Sequence, residues 1–315
     1  GHGNPAGRLQ GGVSMTRHLL TILDLSREEI ETLLARAREL KVLHQQGKNP
    51  APLKRKTVAM IFDKPSTRTR VSFEAGIAQL GGSSIYLAPG QTQMSRNEPV
   101  ADTARVLARY VDGVVVRTFA QETVAELARH STIPVINGLT DTHHPCQVLS
   151  DLMTMEERFG NLTGLKVAWV GDGNNMANSW ITAAMHLDFA LHLACPPGYE
   201  PDGAIVAQAQ AQGARVFLGQ DPVAAVAGAQ VVNTDVWASM GQEEETAARL
   251  RVFQPFQVNS QLMKNAPGAI VLHCLPAHRG EEITAEVLDG PQSAVWDQAE
   301  NRLHFQKALL EWLLG

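Results

Sequence analysis

Ten short apolar runs alternate with helix-like stretches along this chain, and that alternation restricts its fold more than any other feature. TVAMIF (57–62), SSIYLAP (83–89), GVVVRT (113–118) and PVINGL (134–139) come first, separated by stretches such as VADTARVLARY. The pattern restarts with KVAWVGDG (166–173), ALHLACP (190–196), ARVFLG (214–219), VVNTDVW (231–237), AIVLHCL (269–275) and SAVWDQ (293–298). Alternating strands and helices build parallel sheets with helices on their faces. The restart, and a length of 315 residues, predict two such α/β domains, each doubly wound, over 15–149 and 150–299. A helix is predicted ahead of the first strand. Ser26 and Glu29 have the spacing of a capping box, Ile30, Leu33, Leu34 and Ala37 follow at helical period, and Gly47 ends the pattern. The tail over 300–315 places Phe305, Ala308, Leu309, Trp312 and Leu313 on one stripe, so it must dock, and the first domain is the expected partner.

A hydrophobic fraction of 44% suffices for large cores, while a net charge of -5 gives no global basic field for nucleic acid. Any anion must be held locally. Cys146, Cys195 and Cys274 form no CxxC pair, which argues against a disulfide framework or a zinc ribbon and for a reducing compartment. Residues 1–14, glycine-rich and without hydrophobic period, read as an expression scar ahead of a native start at Met15. No run has the roughly 18 apolar residues that a membrane span needs, and a cytoplasmic protein is expected.

Five stretches carry chemistry. In DKPSTRTRVSF, Ser66, Thr67 and Thr69 sit with Arg68 and Arg70 between a strand and a helix whose apolar positions are Val71, Phe73, Ala75, Ile77 and Leu80. Free N–H groups and the positive dipole end of such a helix start favour an anion. An ordinary N-cap needs only one hydroxyl, so three hydroxyls with two guanidiniums favour an oxyanion site. In DTHHPCQVLSD, Pro145 opens a helix and brings His144 near Gln147, an imidazole and a carboxamide able to polarise a carbonyl and grip an amide. A histidine before a helix is also an ordinary cap. KVAWVGDGNNMANS has Gly171 and Gly173 but lacks the third glycine and the distal acid of a dinucleotide site. Asn174, Asn175 and Asn178 offer amides for a small polar ligand instead. In TDVWASMG, Asp235 at a strand end suits an amino group, or a turn cap. HCLPAHRG places Cys274 just past a strand, where it is expected to line a cleft and not to act as a nucleophile, since no base is specified beside it. With His273 and His278 it matches no common zinc spacing, and no metal is expected.

STRTR (66–70), HPCQ (144–147), DVWASMG (235–241) and HCLP (273–276), in this order over essentially all of 15–315, closely resemble the ornithine carbamoyltransferases. The first two alone would imply only a carbamoyltransferase, since the aspartate enzymes are similar there; SMG and HCLP narrow the choice. The resemblance implies two α/β domains with the active site in their cleft. It implies carbamoyl phosphate contacts at Ser66, Thr67, Arg68, Thr69 and Arg117, with His144 on the carbonyl oxygen. Gln147 and the backbone near Cys274 and Leu275 would hold the carbamoyl nitrogen, and Arg302 would line the same site. Asn175, Asp235, Ser239 and Met240 would hold the α-amino and α-carboxylate groups of L-ornithine, with Asp235 and Cys274 also near the attacking δ-amine. Family assemblies are trimers or built from trimers, and Gln93 in GQTQMSRNEP aligns with a residue that reaches the neighbouring site.

What this implies is direct attack of the neutral δ-amine on carbamoyl phosphate, with Arg68, Arg117, His144, Asp235 and Cys274 as the catalytic group and no cofactor. Transfer to another amine is the nearest alternative. A non-catalytic sensor is the other, although gripping both substrate halves would be superfluous for it.

Overall fold

The computed structural model describes residues 16–238 and 245–315. Two domains stand out, each a parallel sheet flanked by helices. The first sheet holds β1 (Thr57–Phe62), β2 (Ser83–Leu87), β3 (Gly113–Arg117) and β4 (Val135–Leu139) in the order β2-β1-β3-β4. The second holds β5 (Lys166–Val170), β6 (Ala190–Ala194), β7 (Val216–Gly219), β8 (Val231–Thr234) and β9 (Ile270–His273) in the order β7-β6-β5-β8-β9.

Period-two side chains explain why both faces of each sheet are covered. In β1, Val58, Met60 and Phe62 enter one core cluster, while Ala59 and Ile61 enter another with Val114 and Val116 of β3. In β5, Val167 and Trp169 join the first cluster, and Ala168 and Val170 pack on the opposite face. That first cluster is continuous between the two sheets.

The helices that position the site are α1 (Arg27–Gln45), α2 (Thr67–Gln79), α3 (Val100–Tyr110), α4 (Gln121–Arg129), α5 (Pro145–Phe159) and α6 (Asn175–His186). Helix α1 begins with the expected capping box, Ser26 Oγ accepting from Glu29 N–H and Glu29 from Ser26 N–H. Phe73, Gly76 and Ile77 of α2 and its C-cap Leu80 are buried, whereas Val71, another of the apolar positions, is 56% exposed. Helical spacing of three and four carries Phe73 to Leu80 inward and Val71 out.

The tenth apolar run is not a strand. Ser293 makes a single bridge to Val271, and the chain then enters a closing helix, Val295–Leu314. Val295, Gln298, Arg302, Phe305 and Leu309 are buried at helical spacing, which overrides the strand-like composition of SAVW. This helix lies against α1, α2 and α5 of the first domain. Buried Phe305, Leu309 and Leu310 each contribute about 1.5–3 kcal/mol. Directional contacts fix its rotation: Arg36 donates to Glu311 at 2.9 Å, Asn301 to Thr154 at 2.9 Å, and Lys307 to Asn49 and Gln79 at 3.0 Å each. Gly76 makes room for Lys307, whose Cγ would lie 3.2 Å from an added Cβ.

Candidate active site

In an open parallel sheet, loops diverge where the strand order reverses, and a crevice opens at the strands' carboxyl ends. In the first sheet that point lies between β1 and β3, which deliver the STRTR stretch and Arg117. In the second it lies between β5 and β8, which deliver Asn174–Asn175 and Asp235. The two crevices border one cavity of about 1090 Å³.

On the first side, Ser66 is the N-cap of α2, its Oγ accepting from Thr69 N–H at 3.2 Å. That bond satisfies one amide of the helix start; those of Thr67 and Arg68, at the first two helical positions, have no intrahelical acceptor. Arg70, which the sequence grouped with the anion site, turns away: its guanidinium stacks on Tyr86 at 3.6 Å and pairs with Glu74 at 3.4 Å. Arg68, Arg117 and Arg302 border the cavity instead. Arg302 arrives from the closing helix and donates to Thr69 Oγ1 at 2.9 Å. Among the described residues, no carboxylate lies within ion-pair distance of any of the three. Burial and the nearby Arg302 charge push Arg117 down to about 10, and burial lowers Arg302 as well. The Nε atoms of Arg117 and Arg302 are buried without a partner among the described residues. A cluster of unpaired buried guanidiniums is costly unless an anion joins it.

His144 caps α5 ahead of Pro145, and its N–H donates to Ser179 Oγ of α6 at 2.8 Å, tying the two domains together. Burial, with Arg302 and Arg117 nearby, holds its imidazole well below the ordinary histidine range, so it is neutral and able to donate one hydrogen bond without carrying charge; its Nδ1 is buried with no partner among the described residues. Gln147, one turn on, is 1% exposed and donates to Asp151 at 2.9 Å.

On the second side, Asp235 is 8% exposed and accepts from Asn174 Nδ2 at 2.8 Å, from Val236 N–H at 2.8 Å and from Cys274 Sγ at 3.3 Å. Burial and then Asp235 push the Cys274 thiol well above its usual range, so it is a protonated donor and not a nucleophile. Asp235, His273 and Cys274 bring ligand atoms within 4.8 Å of one another. A metal there would have to displace the Cys274 proton and the donors already on Asp235.

The asparagine group is only partly available. Asn174 caps α6, and Asn178 spends both amide ends, donating to Thr142 O and accepting from Asp202 N–H. Asn175 donates to Thr140 O at 2.8 Å and borders the cavity. Gly173 needs no dinucleotide to explain it, because an added Cβ would lie 2.2 Å from the Glu200–Pro201 backbone.

Thus Ser66, Thr67, Arg68, Thr69, Arg117, His144, Gln147, Asn175, Asp235, Cys274, Leu275 and Arg302 are brought to one cavity. Gln93 is exposed and is not among its lining residues. Ser239 and Met240 lie outside the described residues. Sequence reading missed Asp172 and Arg249. Burial pushes Asp172 up to about 7, opposed by Arg249 at 3.4 Å, whose guanidinium lies over Tyr199 at 4.9 Å. The acid between two glycines after a strand was the available signal; Arg249 had none.

Two family models match the chain: "Aspartate/ornithine carbamoyltransferase, carbamoyl-P binding domain" over 17–157 and "Aspartate/ornithine carbamoyltransferase, Asp/Orn binding domain" over 163–313. The ornithine carbamoyltransferase of Desulfotalea psychrophila is 58% identical over 96% of this chain and 100% of that protein. The anabolic ornithine carbamoyltransferase of Pseudomonas aeruginosa is 56% identical over 95% of this chain and 97% of that protein. Among solved structures, the ornithine carbamoyltransferase of Pyrococcus furiosus superposes with a TM-score of 0.91 at 51% identity, covering 95% of this chain and 97% of that one. With both halves matched and relatives this similar along their whole lengths, the chain belongs to the aspartate/ornithine carbamoyltransferase family.

Proposed function

We infer that the chain transfers the carbamoyl group of carbamoyl phosphate to the δ-amino group of L-ornithine, giving L-citrulline and phosphate. One observation carries the chemistry: three arginines that have no carboxylate partner among the described residues face, across a single cavity, a carboxylate and a thiol from the other domain. The relatives named as ornithine carbamoyltransferases support ornithine over other amines.

In this reading the N-terminus of α2, with Ser66, Thr67, Arg68 and Thr69, cradles the phosphate, and Arg117 spans phosphate and carbonyl oxygen. Arg302 adds charge to the same cradle. Neutral His144 donates to the carbonyl oxygen. Gln147 and the backbone at Cys274 and Leu275 accept from the carbamoyl nitrogen. Asn175 and Asp235, with Ser239 and Met240, hold the α-substituents of ornithine, and Asp235 and Cys274 lie near its δ-amine.

The δ-amine must be neutral to attack, and the surrounding guanidiniums favour loss of its proton. The new N–C bond forms as negative charge grows on the carbonyl oxygen. Arg117, His144 and Thr69 oppose that charge, each good donor contributing about 3 kcal/mol. The C–O bond then breaks toward the cradle, and phosphate can leave with the second amine proton.

A domain division expected at 149/150, with the closing helix serving the first domain, is part of this proposal, although α5 (Pro145–Phe159) runs unbroken through that point and packs with the first domain. So is a homotrimer: an exposed Gln93 away from its own cavity suits a residue that serves a neighbouring copy. Three free cysteines suit a cytoplasmic setting. No helix among the described residues is long and apolar enough to cross a membrane.

The test is citrulline formation from carbamoyl phosphate with ornithine, aspartate, N-acetylornithine and putrescine offered separately. Turnover with ornithine alone is expected. Carbamoylation of another of these amines in preference would reassign the substrate, and ligand binding without turnover of any would indicate a sensor.

A further inference from the structure

Carbamoyl transfer asks Gln147 to accept a hydrogen bond from the carbamoyl nitrogen, yet a carboxamide can present either its oxygen or its NH₂. In this fold the choice is made at a distance. The backbone N–H of His273, at the end of β9, can only donate, and it donates to Gln298 Oε1 at 2.9 Å. Gln298 therefore turns its NH₂ the other way, where Nε2 donates to Asp151 Oδ1 at 2.8 Å. Because that oxygen is an acceptor, Gln147 must offer it Nε2, and does so at 2.9 Å. Gln147 Oε1 is left buried, without a protein partner among the described residues, on a side chain that borders the cavity. His273, Gln298, Asp151 and Gln147 are each no more than 1% exposed, so water cannot substitute for a missing link.

We propose that Asp151 and Gln298 are positioning residues: a one-way chain of hydrogen bonds from the β9 backbone holds Gln147 as an acceptor and thereby selects acyl phosphates with an N–H at the acyl carbon. The proposal rests on the function inferred for this cavity. It deepens that reading by naming what distinguishes carbamoyl phosphate from an acyl phosphate carrying a methyl group there. The chain holds in either charge state of Asp151. Burial raises its carboxyl to about 7 against the amides of Gln147, Gln298 and Asn233, and a proton can sit on Oδ2, which has no hydrogen-bond partner among the described residues, while Oδ1 keeps both bonds. Asn can reproduce that arrangement, with its oxygen on the two donors; Leu cannot.

The experiment measures KM for carbamoyl phosphate and the inhibition constant of acetyl phosphate competing with it, in wild type, Asp151→Asn, Asp151→Leu and Gln298→Leu. Loss of one buried hydrogen bond should reduce the ratio of inhibition constant to KM about 10-fold in Asp151→Leu. Gln298→Leu, which leaves every cavity side chain in place, should lower it about 3-fold, and Asp151→Asn by less than about 2-fold. A merely structural role would weaken both ligands together. An unmoved ratio in folded Asp151→Leu overturns the proposal, as does an Asn variant as impaired as Leu; should Asp151→Leu not fold, an unmoved ratio in Gln298→Leu decides against it. Wild-type protein that forms no citrulline refutes the underlying function, whereas normal turnover with an unmoved ratio refutes this chain of bonds alone.

Discussion

The two walls of the cleft are in opposite states of readiness. On the first, Arg68, Arg117 and Arg302 lie together with no carboxylate partner among the described residues, and the α2 amides of Thr67 and Arg68, at the first two helical positions, have no intrahelical acceptor. On the second, Asp235 already accepts from Asn174, Val236 and Cys274. The first wall is held by packing against its own electrostatics and gains from any anion that enters. The second is internally satisfied, so an incoming ammonium must displace a donor it already has. Unpaired charge marks the wall that binds by filling a deficit, and paired charge the wall that binds by exchange.

The hardest blow to this contrast is Arg68→Ala, expected to lower kcat/KM at least about 100-fold through lost charge complementarity. Near-normal kinetics in the folded variant would remove the phosphate role from this wall. Asp235→Asn probes the other side. It should raise the KM for ornithine about 10-fold or more while moving the KM for carbamoyl phosphate little. Equal weakening of both would mean that the walls are not separate binding surfaces.

A milder test uses inorganic phosphate alone. Saturating phosphate should raise Tm by about 3 °C, because relief of the arginine cluster is linked to folding. L-Ornithine alone should move it less, and a larger shift from ornithine would invert the comparison. The smallest effect concerns pH. Burial beside Arg302 and Arg117 places the folded His144 pKa below its ordinary value, so the imidazole is already neutral at pH 6.5. Activity should therefore rise with pH between 6 and 8 without a contribution from His144, through the amine and the cavity carboxyl of Asp172, which burial holds at about 7. His144→Gln should lower kcat about 10-fold without shifting that limb. The linked stability has the opposite limit: as pH falls below the unfolded histidine value near 6.5, the unfolded chain gains a proton that the folded one refuses, and stability decreases. A flatter acid dependence of urea unfolding in His144→Gln checks that sign.

Legibility in the sequence tracked locality. Nine of the ten apolar runs became strands, because alternation and turn residues are local signals. SAVWDQ did not: its four apolar or small residues read as strand, and only the buried spacing from Val295 to Leu309 reveals a helix. Motifs at strand ends arrived together because sheet topology carries every such end to the crevice. Arg70 was misgrouped because its partner, Tyr86, is on a neighbouring strand and nothing in STRTR announces that stack. Asp172, Arg249 and Asp151 matter through partners far away in sequence, and a single chain without its fold does not display those pairings.

The closing helix has a consequence for ancestry. It follows the second domain in sequence yet brings Arg302 to Thr69 at the start of α2 and Phe305 and Leu309 to the neighbouring core. A single crossover near residue 150 would therefore exchange more than the proposed amine-binding module; it would also replace part of the proposed phosphate site and the cover of α1, α2 and α5. New acceptor specificities in this architecture should arise by change within the second domain's loops, or by double exchanges that return the original last segment, and seldom by trading whole halves.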